Sequence, residues 1–434
     1  MLIAASTQLS RIVLAENASP QSNASSHRPN VILILADDQR FDTIRALGND
    51  EIHTPNLDKL VERGFVFTNT YCQGGLIPAV CTPSRTMLLT GKSLFRIPPG
   101  NQKTYDGPTL PTVFNAAGYA TLHVGKPGNS FGAAHRAFGK NIEIAHVGAE
   151  TVERTTEAVV EFLRCHKRDQ PFFAYFAPSV PHDPRVAPTK FMEMYDATKI
   201  TLPKNFMPRH PFDNGELEVR DEKLAAVPRT PDEMRRHIAE YYATITCLDH
   251  HVERILDTLA STGRADNTII IFTSDQGLAV GGRHGLMGKQ NLYEHFKSPL
   301  IVAGPGIPRG KSDALVYLFD LFPTLCDLAG IATLPEAEGS SLVPIITGEK
   351  PRVREWLFAA YRDCQRMVRD DRWKLIWYPK IDRYQLFDLA ADPWEIDDLC
   401  AKPEHAAKLG ELRRQLAAQQ KAYGDDKASP PSRN

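Results

Sequence analysis

Val31-Ile32-Leu33-Ile34-Leu35-Ala36 runs directly into Asp37-Asp38-Gln39. An apolar run this short and unbroken, stopped by turn-forming residues, reads as a strand buried on both faces of a parallel sheet. Ala120 to Val124, Phe172 to Ala177, Thr268 to Thr273 and Leu300 to Ala303 share that character. Helical patterns lie between them. Thr54-Pro55 opens a helix that Gly64 closes, and Thr109 to Ala117 runs into Gly118. Pro231 to Leu259 sets Tyr241, Ile245, Leu248, Val252, Ile255 and Leu259 at helical spacing, and Asp320 to Ala329 ends at Gly330. Strands alternating with helices predict an α/β sandwich.

The grammar changes after about residue 348. Leu357 to Tyr361, Gln365 to Arg369, Trp373 to Tyr378 and Tyr384 to Leu389 read as short antiparallel strands, followed by a helix from Glu404 to about Tyr423. The division expected is a catalytic α/β domain over 30–348, a C-terminal subdomain over 349–424, and a disordered tail from 425 to 434. Residues 1–29 are either a disordered tail or the remnant of a signal peptide, which would place the protein in the periplasm or outside the cell. Residues 187–230 are rich in proline and charge without periodicity, and read as a long loop excursion.

With 51 basic and 52 acidic side chains in 434 residues, no global field points to nucleic acid or an anionic membrane. No stretch is long and apolar enough to span a bilayer. The seven cysteines include no C-x-x-C pair, which argues against a zinc ribbon or thioredoxin-type site, and their odd number leaves at least one without an internal partner. The others are buried thiols or include a disulfide such as one from Cys72.

Ligands of open α/β sheets bind beyond the carboxyl ends of the strands. Here those ends carry Asp37-Asp38-Gln39, Ser274-Asp275-Gln276-Gly277, Gly125-Lys126 and Pro181-His182. Asp37, Asp38, Asp275 and the Gln276 carbonyl form an all-oxygen set suited to a hard cation such as Ca²⁺ or Mg²⁺. The bland alternative, aspartates making turns after strands, is about as common for any single residue. Cys81-Thr82-Pro83-Ser84-Arg85 up to Gly91 reads as a helix with Cys81 at its N-terminus, where the dipole favours negative charge, and Arg85 on the same face. A bare thiol at that position would be a plausible reactive thiolate.

Cys81-x-Pro83-Ser84-Arg85 followed by Leu89-Thr90-Gly91 resembles the signature of the type I sulfatases, in the alkaline phosphatase superfamily. The likeness continues through Asp37-Asp38-Gln39, Gly125-Lys126, Pro181-His182-Asp183-Pro184, Thr273 to Gly277, and His284 to Lys289, as far as Asp392-Pro393. It implies a large, mixed but mostly parallel sheet sandwiched by helices, with a small antiparallel sheet and one helix at the C-terminus. It implies hydrolysis of organic sulfate monoesters, commonly on saccharides. Cys81 would be oxidised by a formylglycine-generating enzyme to formylglycine, whose hydrate has one hydroxyl to attack sulfur and a second to drive expulsion of sulfate. One calcium ion would be bound by Asp37, Asp38, Asp275 and Gln276. Arg85 would hold the formylglycine hydroxyl, Lys126 and Lys289 the sulfate, and His182 would protonate the leaving oxygen with Lys289. His284, near the family's lysine motif, would face the substrate or be an ordinary loop histidine. From the C-terminal part, Tyr361, Arg362, Gln365 or Arg366 would reach the pocket, the arginines holding an acidic or hydroxyl-rich sugar.

One departure stands out. The family usually has Gly-Lys-Trp-His where this chain has Gly125-Lys126-Pro127-Gly128, so the histidine that bonds the hydrate is missing; His135 is the candidate substitute. That gap motivates one rival reading, an unreactive carbohydrate-binding relative; the other, a phosphonate monoester or phosphodiester hydrolase, is a relative that shares the cysteine signature.

Overall fold

The structure, a computed structural model, describes residues 28–97, 105–128, 130–145 and 149–425. Of the two terminal tails, all but Arg28, Pro29 and Asp425 lie outside the described residues. The strands in chain order are β1 (Asn30–Ala36), β2 (Phe65–Tyr71), β3 (Gly74–Gly75), β4 (Ala120–Gly125), β5 (Lys140–Glu143), β6 (Phe172–Ala177), β7 (Thr268–Ser274), β8 (Ser298–Ala303), β9 (Gly310–Tyr317), β10 (Leu357–Tyr361), β11 (Gln365–Arg369), β12 (Trp373–Tyr378) and β13 (Arg383–Asp388).

Eight of them form one sheet in the order β5-β4-β6-β1-β7-β8-β2-β9. Strands β5, β4, β6, β1 and β7 pair in parallel, β8 runs antiparallel between β7 and β2, and β9 returns parallel to β2. The sheet is mixed and mostly parallel, as expected. Central β1 shows why its sequence is continuously apolar. Val31, Leu33 and Leu35 pack into the core on one face, Ile32, Ile34 and Ala36 into the core on the other. The helices Pro55–Arg63, Ala149–Cys165 and Pro231–Ser261 cover the second face. Cys81–Thr90, Leu110–Ala116 and Leu321–Leu328 cover the first.

The second sheet has the order β13-β12-β11-β10-β3. Its four C-terminal strands are antiparallel, but the fifth, β3, comes from the segment just before Cys81 and pairs parallel with β10. Gly74 sits at φ 102°, and a Cβ there would stand 1.9 Å from the Ala360 carbonyl oxygen, so only glycine fits. A strand from the segment before Cys81 therefore completes the small sheet, and one apolar core runs from the large sheet into it. Within residues 187–230 the only α-helix is the single turn Thr189–Met192. All seven cysteines are free thiols, so the disulfide alternative falls.

Candidate active site

Parallel register between β1 and β7 aligns Ala36 with Ser274, so Asp37 and Asp275 leave the sheet side by side. The backbone then turns sharply. Asp38 takes φ 71°, a left-handed conformation that short polar side chains tolerate best. Its N–H donates to Asp275 Oδ1 at 2.9 Å, and its carbonyl accepts from the Tyr241 hydroxyl at 2.6 Å. Ligand atoms of Asp37, Asp38, Asp275 and Cys81 all lie within 4.8 Å of one another.

Cys81 is the first residue of the helix Cys81–Thr90, whose every side chain is buried and whose end is set by Gly91 at φ 68°. The sulfur lies 3.3 Å from Asp37 Oδ1, 3.1 Å from Gln276 Nε2 and 3.3 Å from Lys289 Nζ. One turn on, Arg85 bridges the strand ends, with Nε 3.1 Å from Asp275 Oδ2 and Nη2 3.4 Å from Asp37 Oδ2. Ser84 Oγ donates to the Asp275 carbonyl at 2.6 Å. Lys126 pairs with Asp37, and Lys289 Nζ stands 2.9 Å from Asp38 Oδ2. His182 Nδ1 lies 2.7 Å from the Asp183 carbonyl, which leaves Nε2 facing inward, 3.8 Å from Asp38 Oδ2.

Three carboxylates thus face three permanent cations. Burial raises the pKa of Asp37, but Lys126 and Arg85 overcome it and hold the group well below the usual range. Burial likewise opposes ionised Asp38, and Lys289 with His182 outweighs it. Asp275 is pushed up to about 6 by burial and by Asp37. The Cys81 thiol is raised well above its ordinary value by burial and by Asp275, so the expected reactive thiolate is not favoured among these carboxylates. The Gln276 carbonyl oxygen is buried with no hydrogen-bond partner among the described residues. Gln276 Nε2 faces Asp38 and Cys81 here; with the amide turned over, the three carboxylates and the Gln276 side-chain oxygen would form a donor set fit for a hard divalent cation.

The loop that delivers Lys289 is held from the excursion. Buried Glu222 accepts from the Met287 and Gly288 N–H groups at 3.0 and 2.8 Å and from Arg229 Nη2 at 2.7 Å. Asp221 accepts from Gln290 at 2.9 Å, and Arg220 ties Asp221 to Asp183 beside His182. Sequence reasoning missed these residues, since they sit in a stretch without periodicity and act across long separations.

Other candidates are placed elsewhere. His284, expected to face substrate, stacks on Tyr293 with ring centroids 4.0 Å apart and bonds Glu294 at 2.9 Å and Asn205 at 3.0 Å. It is buried, its ring held by these partners. His135 stacks on His123 at 3.8 Å, with Nδ1 3.2 Å from Glu143, and is not among the side chains bonded to Cys81. Gln365 supports the Lys289 loop instead, bonding Asn291 and Leu292. Tyr361 and Arg362 engage Glu216 of the excursion, and Arg362 lines a cavity of about 480 Å³ with Leu76, Phe95 and Arg366. Arg366, assigned to substrate, instead clamps the chain end, with Nη2 3.0 Å from buried Asp425 and Nε on the same carboxylate. Asp425, assigned to the disordered tail, is thereby ordered. Because Arg366→Ala strands a buried carboxylate, it should cost about 3–5 kcal/mol of stability. Denaturant titration reads that loss, and kcat/KM should stay near wild type below the unfolding temperature.

The mixed α/β architecture is the alkaline-phosphatase-like fold of solved sulfatases. The chain belongs to the sulfatase family: the Sulfatase family model matches residues 29–331, and the model described as N-sulphoglucosamine sulphohydrolase, C-terminal, matches residues 282–422. It is similar to an N-acetylglucosamine-6-O-sulfatase of Bacteroides thetaiotaomicron, 26% identical over 96% of this chain and 90% of that one. A solved 2-O GAG sulfatase superposes with a TM-score of 0.77 at 25% identity, covering 92% and 93% of the two chains. A phosphonate monoester hydrolase from Silicibacter pomeroyi superposes with a TM-score of 0.75 at 24% identity over 91% and 96%, which shows the shared fold. Among the described residues no helix is long and apolar enough to cross a membrane.

Proposed function

We propose that this enzyme hydrolyses sulfate monoesters of carbohydrates, with formylglycine made from Cys81 and one calcium ion held by Asp37, Asp38, Asp275 and Gln276. The observation that carries this reading is the convergence of Asp37, Gln276 and Lys289 on the Cys81 sulfur. The sulfated-sugar relatives support the substrate class.

When present, the cation supplies charge against the sulfate oxygens and acidifies a hydroxyl, and formylglycine hydrate supplies one oxygen for attack and another for release of sulfate. The chain's own residues do the rest. Lys126 and Lys289 present fixed ammonium groups to the anion, and Arg85 holds Asp37 and Asp275 in register with residue 81. His182, with Nδ1–H directed to the Asp183 carbonyl, presents Nε2 to the leaving oxygen and protonates it. To donate from Nε2 while Nδ1–H stays on the Asp183 carbonyl the ring must be doubly protonated; burial lowers its pKa and Asp38 opposes that.

Turnover of an aryl sulfate and of a sugar sulfate tests the proposal. Phenyl phosphonate turned over faster than both would favour the phosphonate hydrolase, and no turnover with residue 81 fully converted would favour the unreactive relative.

Gly128 offers a graded test. A Cβ there would meet nothing within 4 Å among the described residues, so the space beside Lys126 is open. A missing hydrogen bond to a charged reacting group is worth about 1.5–3 kcal/mol, a factor of about ten to a hundred in rate. Gly128→His should therefore raise kcat on generic aryl sulfates, measured beside wild type with residue 81 confirmed as formylglycine in both. An unchanged or lower kcat would show that the gap is not a catalytic deficit.

A further inference from the structure

Three residues beyond His182, Arg185 is buried, with Nε and Nη2 lacking any hydrogen-bond partner among the described residues. Each of the other buried arginines among those residues makes at least one hydrogen bond. Arg185 stands at the edge of the active site. Its Cζ lies 5.6 Å from the centroid of the Tyr241 ring, and that tyrosine's hydroxyl bonds the Asp38 carbonyl at 2.6 Å. Burial pulls its pKa down, with Tyr241, Asp38, Glu240 and Asp221 opposing.

Those carboxylates are committed to other partners. Asp38 is taken by Lys289 and Gln276, Asp221 by Gln290 and Arg220, and Glu240 lies 3.9 Å from Arg236. A buried guanidinium without acceptors is costly, and such a group in a native protein calls for a water, ion or ligand. The two unpartnered nitrogens form one edge of the guanidinium fork, the edge that takes two oxygens of a carboxylate or sulfate side-on.

We propose that Arg185 is the subsite for a second anionic group on the substrate, a carboxylate or a further sulfate carried by the same molecule as the scissile ester. The inference rests on the sulfatase reading above and adds the substrate class: acidic or multiply sulfated sugars over neutral ones.

The experiment compares phenyl sulfate with aryl sulfates bearing a carboxylate or a second sulfate at successive ring positions. Wild type should favour at least one anion-bearing member about tenfold to a hundredfold, chiefly through KM. Arg185→Gln and Arg185→Met should bring that ratio to about one, and Arg185→Lys should keep part of it. Which series responds separates carboxylate from sulfate. The same ratio read as affinity by calorimetry, on protein with Cys81 unconverted, keeps the test independent of turnover. A preference in binding without turnover would overturn the activity reading alone. No preference in wild type, or a preference that survives in Arg185→Gln, would overturn the subsite.

Discussion

Replacing Asp275 by alanine should lower kcat on a sulfate ester by about a thousandfold or more, while the protein stays folded. One preorganised electrostatic group is typically worth about a hundredfold to a thousandfold in kcat, and Asp275 serves two such functions here. It supplies a proposed metal oxygen, and it holds Arg85 at 3.1 Å. Folding should survive because Arg85 keeps Asp37 as a counter-charge at 3.4 Å. The loss also removes a carboxylate whose ionisation is already opposed by burial and by Asp37. Steady-state kinetics, metal content and thermal unfolding of the variant read these effects together. Retained activity, or zinc in place of calcium in the wild type, would reject the arrangement.

Cys81→Ala should have the larger effect, taking turnover to background. Loss of a covalent nucleophile costs about a millionfold in well-studied hydrolases. The thiol is held neutral in this site, so its removal leaves the balance of three carboxylates and three cations unchanged, and stability should move little. Kinetics and unfolding midpoints of the variant decide it; turnover within tenfold of wild type would mean that another group attacks.

How much of this was legible in the sequence follows from how local each signal is. The buried strands were readable because β1, β6 and β7 are apolar on both faces. Their polar ends were readable because a strand end needs no distant partner to define it. The Cys81–Arg85 spacing worked for the same reason, since one helical turn fixes it. Strand β9 was missed because its first half, Gly310 to Asp313, lies at the sheet edge and is polar. The two glycines of β3 carry no strand signal at all, and only the approach to Ala360 explains them.

Site residues divide along the same line. Asp37, Asp38, Asp275, Lys126 and His182 gather at the strand ends, where the chain pattern put them, and Lys289, expected from the resemblance alone, reaches them from the loop between β7 and β8. Arg366 and His284 had the right chemistry for substrate, but Asp425 and Glu294 already occupy them. Nothing in the neighbouring sequence announces those partners. Glu222, Asp221 and Arg185 lie in or before a stretch without periodicity, and their roles depend on contacts that only the folded chain creates.

The most direct test of the account is the mass of the peptide containing residue 81, measured on the same sample whose sulfate ester turnover is known. Formylglycine should stand at that position, in a fraction that tracks specific activity across preparations made with and without the maturing enzyme. Unmodified cysteine throughout a fully active sample would contradict it.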